Sequence, residues 1–221
     1  MRNARVFFKK YGAGKYISHL DLNRVMLRAI GKSQLDIWRT EGFHQHAYIT
    51  FALPLSLGYA SECESMDFRL LDDNEDMSLI PERLNKCLPE GLRVLRCADA
   101  VMKPDKIASA TYDIVLEPMN DGEISKKELS GKLKEFIQLP EIPVEKKTKK
   151  GMKTIDLKGY ILGCELPDSD SVRMILTLPA GASLNINPSL FVTALSDHIG
   201  VELYADVTRT GIFTQEGKSF E

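Results

Sequence analysis

The chain passes through one succession of elements twice, strand, helix, strand, strand, helix, strand, and few architectures accommodate both passes. In the first pass Arg5–Phe8 forms a short strand, and a loop containing Gly12 and Gly14 leads to Ser18. Ser18 is a helix N-cap residue type with Asp21 at the capping-box position. Leu22, Val25, Met26, Ala29 and Ile30 then share one helical face, Asn23, Arg24 and Arg28 lie on the other, and Gly31 is expected to end the helix. Leu35–Trp38 and Tyr48–Phe51 read as extended, and Met66, Phe68 and Leu70 alternate with Asp67 and Arg69 as in a strand with one buried face. A second helix is expected over Ser78–Leu88, stopped by Pro89-Glu90-Gly91, with Leu92–Leu95 as the returning strand.

Ala98–Ala110, interrupted at Lys103-Pro104-Asp105, has the weak periodicity of a linker. Beyond it Tyr112, Ile114 and Leu116 alternate, and Ser125 and Glu128 frame a helix with Leu129, Leu133, Phe136 and Ile137 on its apolar stripe. Ile155–Leu157 and Val172–Leu178 supply strands. Asn187-Pro188 opens a last helix that Gly200 closes before Val201–Ala205. The repetition is one of element order, with no visible sequence identity between halves. The expected fold is α+β, two tandem ferredoxin-like (β-α-β-β-α-β) sandwiches over residues 1–103 and 108–221.

With 43% apolar residues in 221, the chain can bury cores of ordinary size. Its net charge of −2 hides a segregation: residues 1–39 carry nine Arg/Lys against Asp21 and Asp36, whereas 62–82 carry eight acids against Arg69. One face is therefore expected to be basic. The N-terminus lacks the apolar run of a signal peptide and no stretch approaches the roughly 18 apolar residues of a membrane span, so a cytoplasmic protein without a membrane partner is expected. Cys63, Cys87, Cys97 and Cys164 match neither a CxxC zinc knuckle nor the close-set triplet that holds a radical-generating cluster. Reduced, structural thiols are the expectation.

At Ser18-His19-Leu20-Asp21-Leu22 with Arg24, then Gly42-Phe43, His46, Phe51, Pro54-Leu55 and Gly58, the chain resembles the radical SAM-linked protein family of bacteria. The likeness spans most of residues 5–95 and continues at Lys149-Lys150-Gly151 with Asp156-Leu157. Where the family pattern runs Asn-Pro-His-Pro after Gly-Phe, this chain has His44-Gln45-His46-Ala47, so only His46 carries over. The resemblance implies association with a B12-binding radical SAM enzyme, beside which or fused to which such proteins occur, commonly near a ribonuclease of the E/G type. It implies no activity for the chain itself. Without a cysteine triplet this chain would be the accessory half of such a pair and is expected to hold no cofactor or metal of its own.

Three of the four histidines fall in two short segments that also carry glycine and cationic residues. Lys15, Ser18, His19, Arg24 and Arg28 surround the first helix start, where free amides and the helix dipole favour an anion; an ordinary strand-to-helix turn explains the same glycines. His44 and His46, beside Phe43, are spaced to point to one side of an extended segment, which suits either a metal ligand pair or plain surface residues. Lys146, Lys147, Lys149, Lys150 and Lys153 crowd a segment that turns at Gly151. Such a hairpin fits phosphate contacts, and it also fits a lysine-protected sheet edge. The preferred reading is an accessory or binding protein presenting a substrate, an RNA such as tRNA or rRNA, to its enzyme partner. The alternative is a small acid/base or metal-assisted hydrolase in which His19 and His46 are catalytic, with Asp21 or Glu41 nearby. Either way Ser18–Arg24 and Gly42–Ala52 are expected at the same end of the first sheet. Oligomeric state is not legible.

Overall fold

A computed structural model of the protein describes residues 1–120, 122–148 and 151–221. The architecture is mixed α+β, in two compact units: residues 1–107 with 209–221, and residues 108–208. No helix among the described residues is long and apolar enough to cross a membrane.

The first unit comprises β1 (Arg2–Lys10), a 3-10 turn over Gly12–Tyr16, α1 (His19–Lys32), β2 (Ile49–Phe51), β3 (Ala60–Leu70), α2 (Ile80–Asn85) and β4 (Leu92–Asp99). Its strands pair antiparallel in the order β4-β1-β3-β2, with Arg5 opposite Asp67 and Thr50 also opposite Asp67. Strand alternation divides the sheet. Ala4, Val6, Phe8, Met66, Phe68, Leu70, Leu92 and Val94 face a core completed by Leu22, Met26, Ala29 and Ile30 of α1 and Ile80 and Leu84 of α2. Asn3, Arg5, Phe7, Asp67 and Arg69 therefore project from the other face.

Two helix limits differ from the sequence expectation. Gly31 does not end α1, because glycine in a helix costs only about 1 kcal/mol relative to alanine and nothing there demands a left-handed residue. The exit falls instead at Ser33, whose amide donates to the Ala29 and Ile30 carbonyls, and at Gln34, which has φ of 57°. Arg83 holds this exit, donating from Nε to the Ser33 carbonyl (3.0 Å) and from Nη1 to Glu75 (2.8 Å). Expected over Ser78–Leu88, α2 spans only Ile80–Asn85. The side-chain amide of Asn85, the last residue of the helix, exchanges two 2.8 Å hydrogen bonds with the Val94 backbone, which ties the helix end to β4.

The second unit comprises most of β5 (Ile107–Pro118), then α3 (Lys126–Ile137), the hairpin of β6 (Pro143–Thr148) and β7 (Gly151–Asp156), β8 (Gly163–Glu165), β9 (Val172–Pro179), α4 (Ser189–Ile199) and the start of β10 (Leu203–Thr214). Strand order is β10-β5-β9-β8, while β6 and β7 pair only with each other. Ser125 and Glu128 form the reciprocal capping box at the start of α3, and Gly200 ends α4 in the left-handed conformation at φ of 69°.

Residues 209–221 fold with the first unit, not with the second as the 108–221 boundary had them. The reason is electrostatic and apolar at once. Arg209 forms a buried ion pair with Glu64 and donates to the Leu53 carbonyl at 2.7 Å, while the buried Phe220 ring lies 4.3 Å from the Arg5 guanidinium carbon.

Candidate functional site

At the start of α1 the local chemistry is self-contained. The Ser18 hydroxyl accepts from the Asp21 amide (3.2 Å) and donates to the Asp21 carboxylate (2.7 Å), and Arg24 donates to the other Asp21 oxygen (3.0 Å). The Ser18 hydroxyl first, and Arg24 second, hold the Asp21 carboxyl below the usual carboxylate range. A negative charge thus already occupies the place where the dipole would favour a bound anion. The His19 ring packs edge-on against Phe51 with centroids 5.1 Å apart, Lys15 Nζ lies 5.4 Å from the centre of the Tyr16 ring, and Arg28 is exposed. The glycine loop has a packing cause: a Cβ on Gly14 would stand 2.3 Å from the Gly91 carbonyl oxygen.

A second constellation lies on the loop between Trp38 and Tyr48. An isolated bridge joins Arg39 to Ala47, and the Thr40 amide donates to the His46 carbonyl at 2.9 Å. Gly42, at φ of 125°, turns the tip. There Phe43 is fully exposed, at 106% of its reference area, between the exposed Gly42 and His44. His46 Nδ1 is 3.2 Å from the His44 carbonyl, consistent with its donating there. At the base of the loop the Trp38 and Tyr48 rings meet edge to face at 5.6 Å, and the Arg69 guanidinium lies 5.5 Å over Trp38.

These two constellations do not meet. Arg39 and Ala47 share a cavity of about 270 Å³ with Ile30 and Gly31, at the C-terminal end of α1. A 14-residue helix spans about 20 Å. Only the Phe51 end of β2 reaches the helix start. The expected pairing of His19 with His46 is therefore corrected, as is the expectation that Ser18–Arg24 and all of Gly42–Ala52 share one end. A βαβ crossover returns the chain to the sheet end from which β1 set out, and that return carries Phe43, His44 and His46 away.

Beside Tyr48 the open face of the sheet forms a cavity of about 260 Å³, lined by Asn3, Tyr48, Thr50, Asp67, Arg69 and Lys103 among others. The Asp67 carboxylate is fixed by Arg5, which is fully buried and donates from Nε (2.6 Å) and Nη2 (2.8 Å); Nη2 also donates to the Met102 carbonyl at 2.7 Å. The sequence shows Tyr48 only as the start of an extended stretch, and this polar floor is not legible in it. Alternation alone places Arg5 and Asp67 on the non-core face, but their opposition is known only once β1 and β3 are in register.

On the second unit Lys146 Nζ donates to the Asn185 carbonyl at 2.7 Å and Lys153 is exposed. The Lys147 side chain, Lys149 and Lys150 lie outside the described residues. Burial pushes the Cys63 thiol up to about 11 and Cys97 to about 12, and raises Cys164 as well, so these remain protonated thiols at neutral pH. No group of three His, Cys, Asp or Glu side chains with metal-binding geometry occurs among the described residues.

No curated protein matches the chain. Among solved structures it is similar to a chain of a Cbf5-Nop10-Gar1 complex, at 9% identity and a TM-score of 0.48, covering 95% of this chain and 48% of that one. An archaeal box H/ACA sRNP Nop10-Cbf5 complex follows at 10% identity and a TM-score of 0.43, with 93% and 46% covered. An unknown protein from Galdieria sulphuraria matches at 15% identity and a TM-score of 0.28, with 94% and 98% covered. The chain thus spans about half the length of the first two. Residues 3–188 match the model of the family described as "Uncharacterized protein conserved in bacteria (DUF2344)", and the chain belongs to that family.

Proposed function

We propose that this protein is a non-catalytic accessory that binds RNA and presents it to a B12-binding radical SAM enzyme. The observation that carries the RNA part is the Trp38–Tyr48 loop. At the tip the fully exposed Phe43 ring offers a face on which a base can stack, with Arg39, His44 and His46 on the same loop and Arg69 over Trp38 at its base. Aromatic platforms flanked by cations are how single-stranded nucleic acid is held without covalent chemistry, each stacked base contributing about 1–3 kcal/mol. Lys153 adds an exposed cation on the second unit.

The strand orders β4-β1-β3-β2 and β10-β5-β9-β8, each with helical crossovers, support reading both units as ferredoxin-like sandwiches, the second with the β6–β7 hairpin inserted. Sheets of that kind serve elsewhere as RNA platforms, which is analogy of fold and adds only that. The enzyme partner follows from the resemblance at Ser18–Arg24 and Gly42–Gly58, together with cysteines too dispersed to hold a cluster. The hydrolase alternative loses its motive, because His19 and His46 occupy different ends of the first unit.

Titration of labelled single-stranded RNA at several salt concentrations tests the reading. Log K should fall linearly with log [salt], and Phe43→Ala should weaken binding about tenfold at constant thermal stability. A flat salt slope, or no binding at low salt, rejects RNA as the cargo. Co-purification with the radical SAM enzyme tests the partner separately.

A further inference from the structure

We infer that the cavity beside Tyr48 is a pocket for one unpaired nucleobase, and that its polar floor selects guanine. This rests on the RNA reading and deepens it. At about 260 Å³ the cavity is smaller than pockets for drug-sized ligands, typically about 300–1,000 Å³, and suits a single ring system. The half-exposed Tyr48 offers a ring to stack on and Val101, Met102 and Pro104 an apolar wall.

The floor is Asp67, an acceptor with no proton to give when ionised. Arg5 fixes both of its oxygens, yet 21% of the side chain remains exposed and each oxygen keeps lone-pair capacity. Because the acceptor pair is already oriented, a ligand need not order it on binding. Of the four bases only guanine presents two adjacent donors on its pairing edge, N1–H and the 2-amino group. Adenine and cytosine would each set a ring-nitrogen lone pair against the carboxylate, and uracil would set carbonyl oxygens on both sides of its one donor. The Asn3 side-chain amide and the Thr50 hydroxyl make no hydrogen bond among the described residues, which leaves them available to guanine O6 or N7. Arg69 and Lys103 supply positive charge for the attached phosphate.

Trp38 is the sole tryptophan and lies against Tyr48, so its fluorescence reports on the pocket without a label. Titration with guanosine, inosine and adenosine 5′-monophosphates should show guanosine binding at least tenfold tighter than adenosine, with inosine, which lacks the 2-amino group, between them. Tyr48→Ala and Thr50→Val should each weaken guanosine monophosphate in protein that remains folded at the temperature of the titration. Asp67 is probed through the ligand, because removing it would strand the buried Arg5: 1-methylguanosine monophosphate should lose the preference. Equal affinity for all the monophosphates, or no effect of Tyr48→Ala, overturns the inference. Salt-dependent RNA binding with no preference for guanine-containing strands would reject the pocket and leave the RNA reading standing. Selective guanosine monophosphate binding by a protein that binds no RNA would do the reverse.

Discussion

Gly14 and Gly91 show how a single position can be set by a distant one. Gly14 sits so close to the Gly91 backbone that a Cβ added there would overlap the Gly91 carbonyl, and Gly91 itself has φ of 90°. Both properties exclude alanine, by contact in one case and by conformation as well in the other. Gly14→Ala should destabilise the first unit by about 1–3 kcal/mol, measured as a lower urea midpoint at constant slope; an unchanged midpoint would mean that the two backbones can move apart freely. The sequence exposes the glycine but not its cause, since an anion loop and a tight packing contact look alike until Gly91 is placed. Arg209 presents the same difficulty more sharply. Its burial against Glu64, near Lys10, whose pKa burial lowers, leaves no local trace in the strand pattern around it. Arg209→Ala should cost about 3–5 kcal/mol, because Glu64 would stay buried without its partner.

At the scale of elements, what was legible is what is local. Ser18, Ser125 with Glu128, and Gly200 each act within one helical turn of themselves, and each performs in the structure the role that its residue type announces, whereas Asp21 accepts from the Ser18 hydroxyl and does not close a reciprocal capping box. Ser125→Ala should cost about 1 kcal/mol, seen in equilibrium unfolding. The carboxylates that serve such ends share a pH signature. Asp21, Asp76, Glu82 and Glu128 are all held below their ordinary values, by the hydroxyls of Ser18, Ser78 and Ser125 or by Lys86. Folded, they bind fewer protons than unfolded, so their contribution is complete above the unfolded pKa near 4 and is lost as pH falls through the lower folded values. A melting temperature that stays flat from pH 7 to 5 and then drops below about pH 4 is expected; a drop centred near pH 6 would implicate histidine instead. What was not legible at this scale required partners. The end of α1 depends on Arg83, the end of α2 on Val94, and the separation of His46 from His19 on the path of the chain between α1 and β2.

The division of the whole chain turns on its last residues. By element order alone β10 closes the second unit, and its first residues do; its remainder and the segment after it fold with residues 1–107. That allegiance has a consequence for the candidate pocket. Phe220 lies on Arg5, Arg5 donates to the Met102 carbonyl, and the Met102 amide donates to the Glu221 carbonyl at 3.3 Å. The wall formed by Ala100–Pro104 is thus held by the same few residues that fix Asp67. Phe220 is almost fully buried, and Phe220→Ala removes both its apolar contacts and the ring beneath a buried cation, at a cost of about 3–5 kcal/mol. If the two units unfold separately, hydrogen exchange should quicken at Met102 and Ala100, whose amides donate to Glu221 and Asn3, while Ala180, which donates to Ala108 in the second unit, keeps its protection. Guanosine monophosphate affinity should fall with it, although Phe220 does not line the cavity. Equal acceleration at Ala180 would show instead that the two units open as one cooperative body, and the C-terminal residues would then stabilise the entire chain, not the pocket wall in particular.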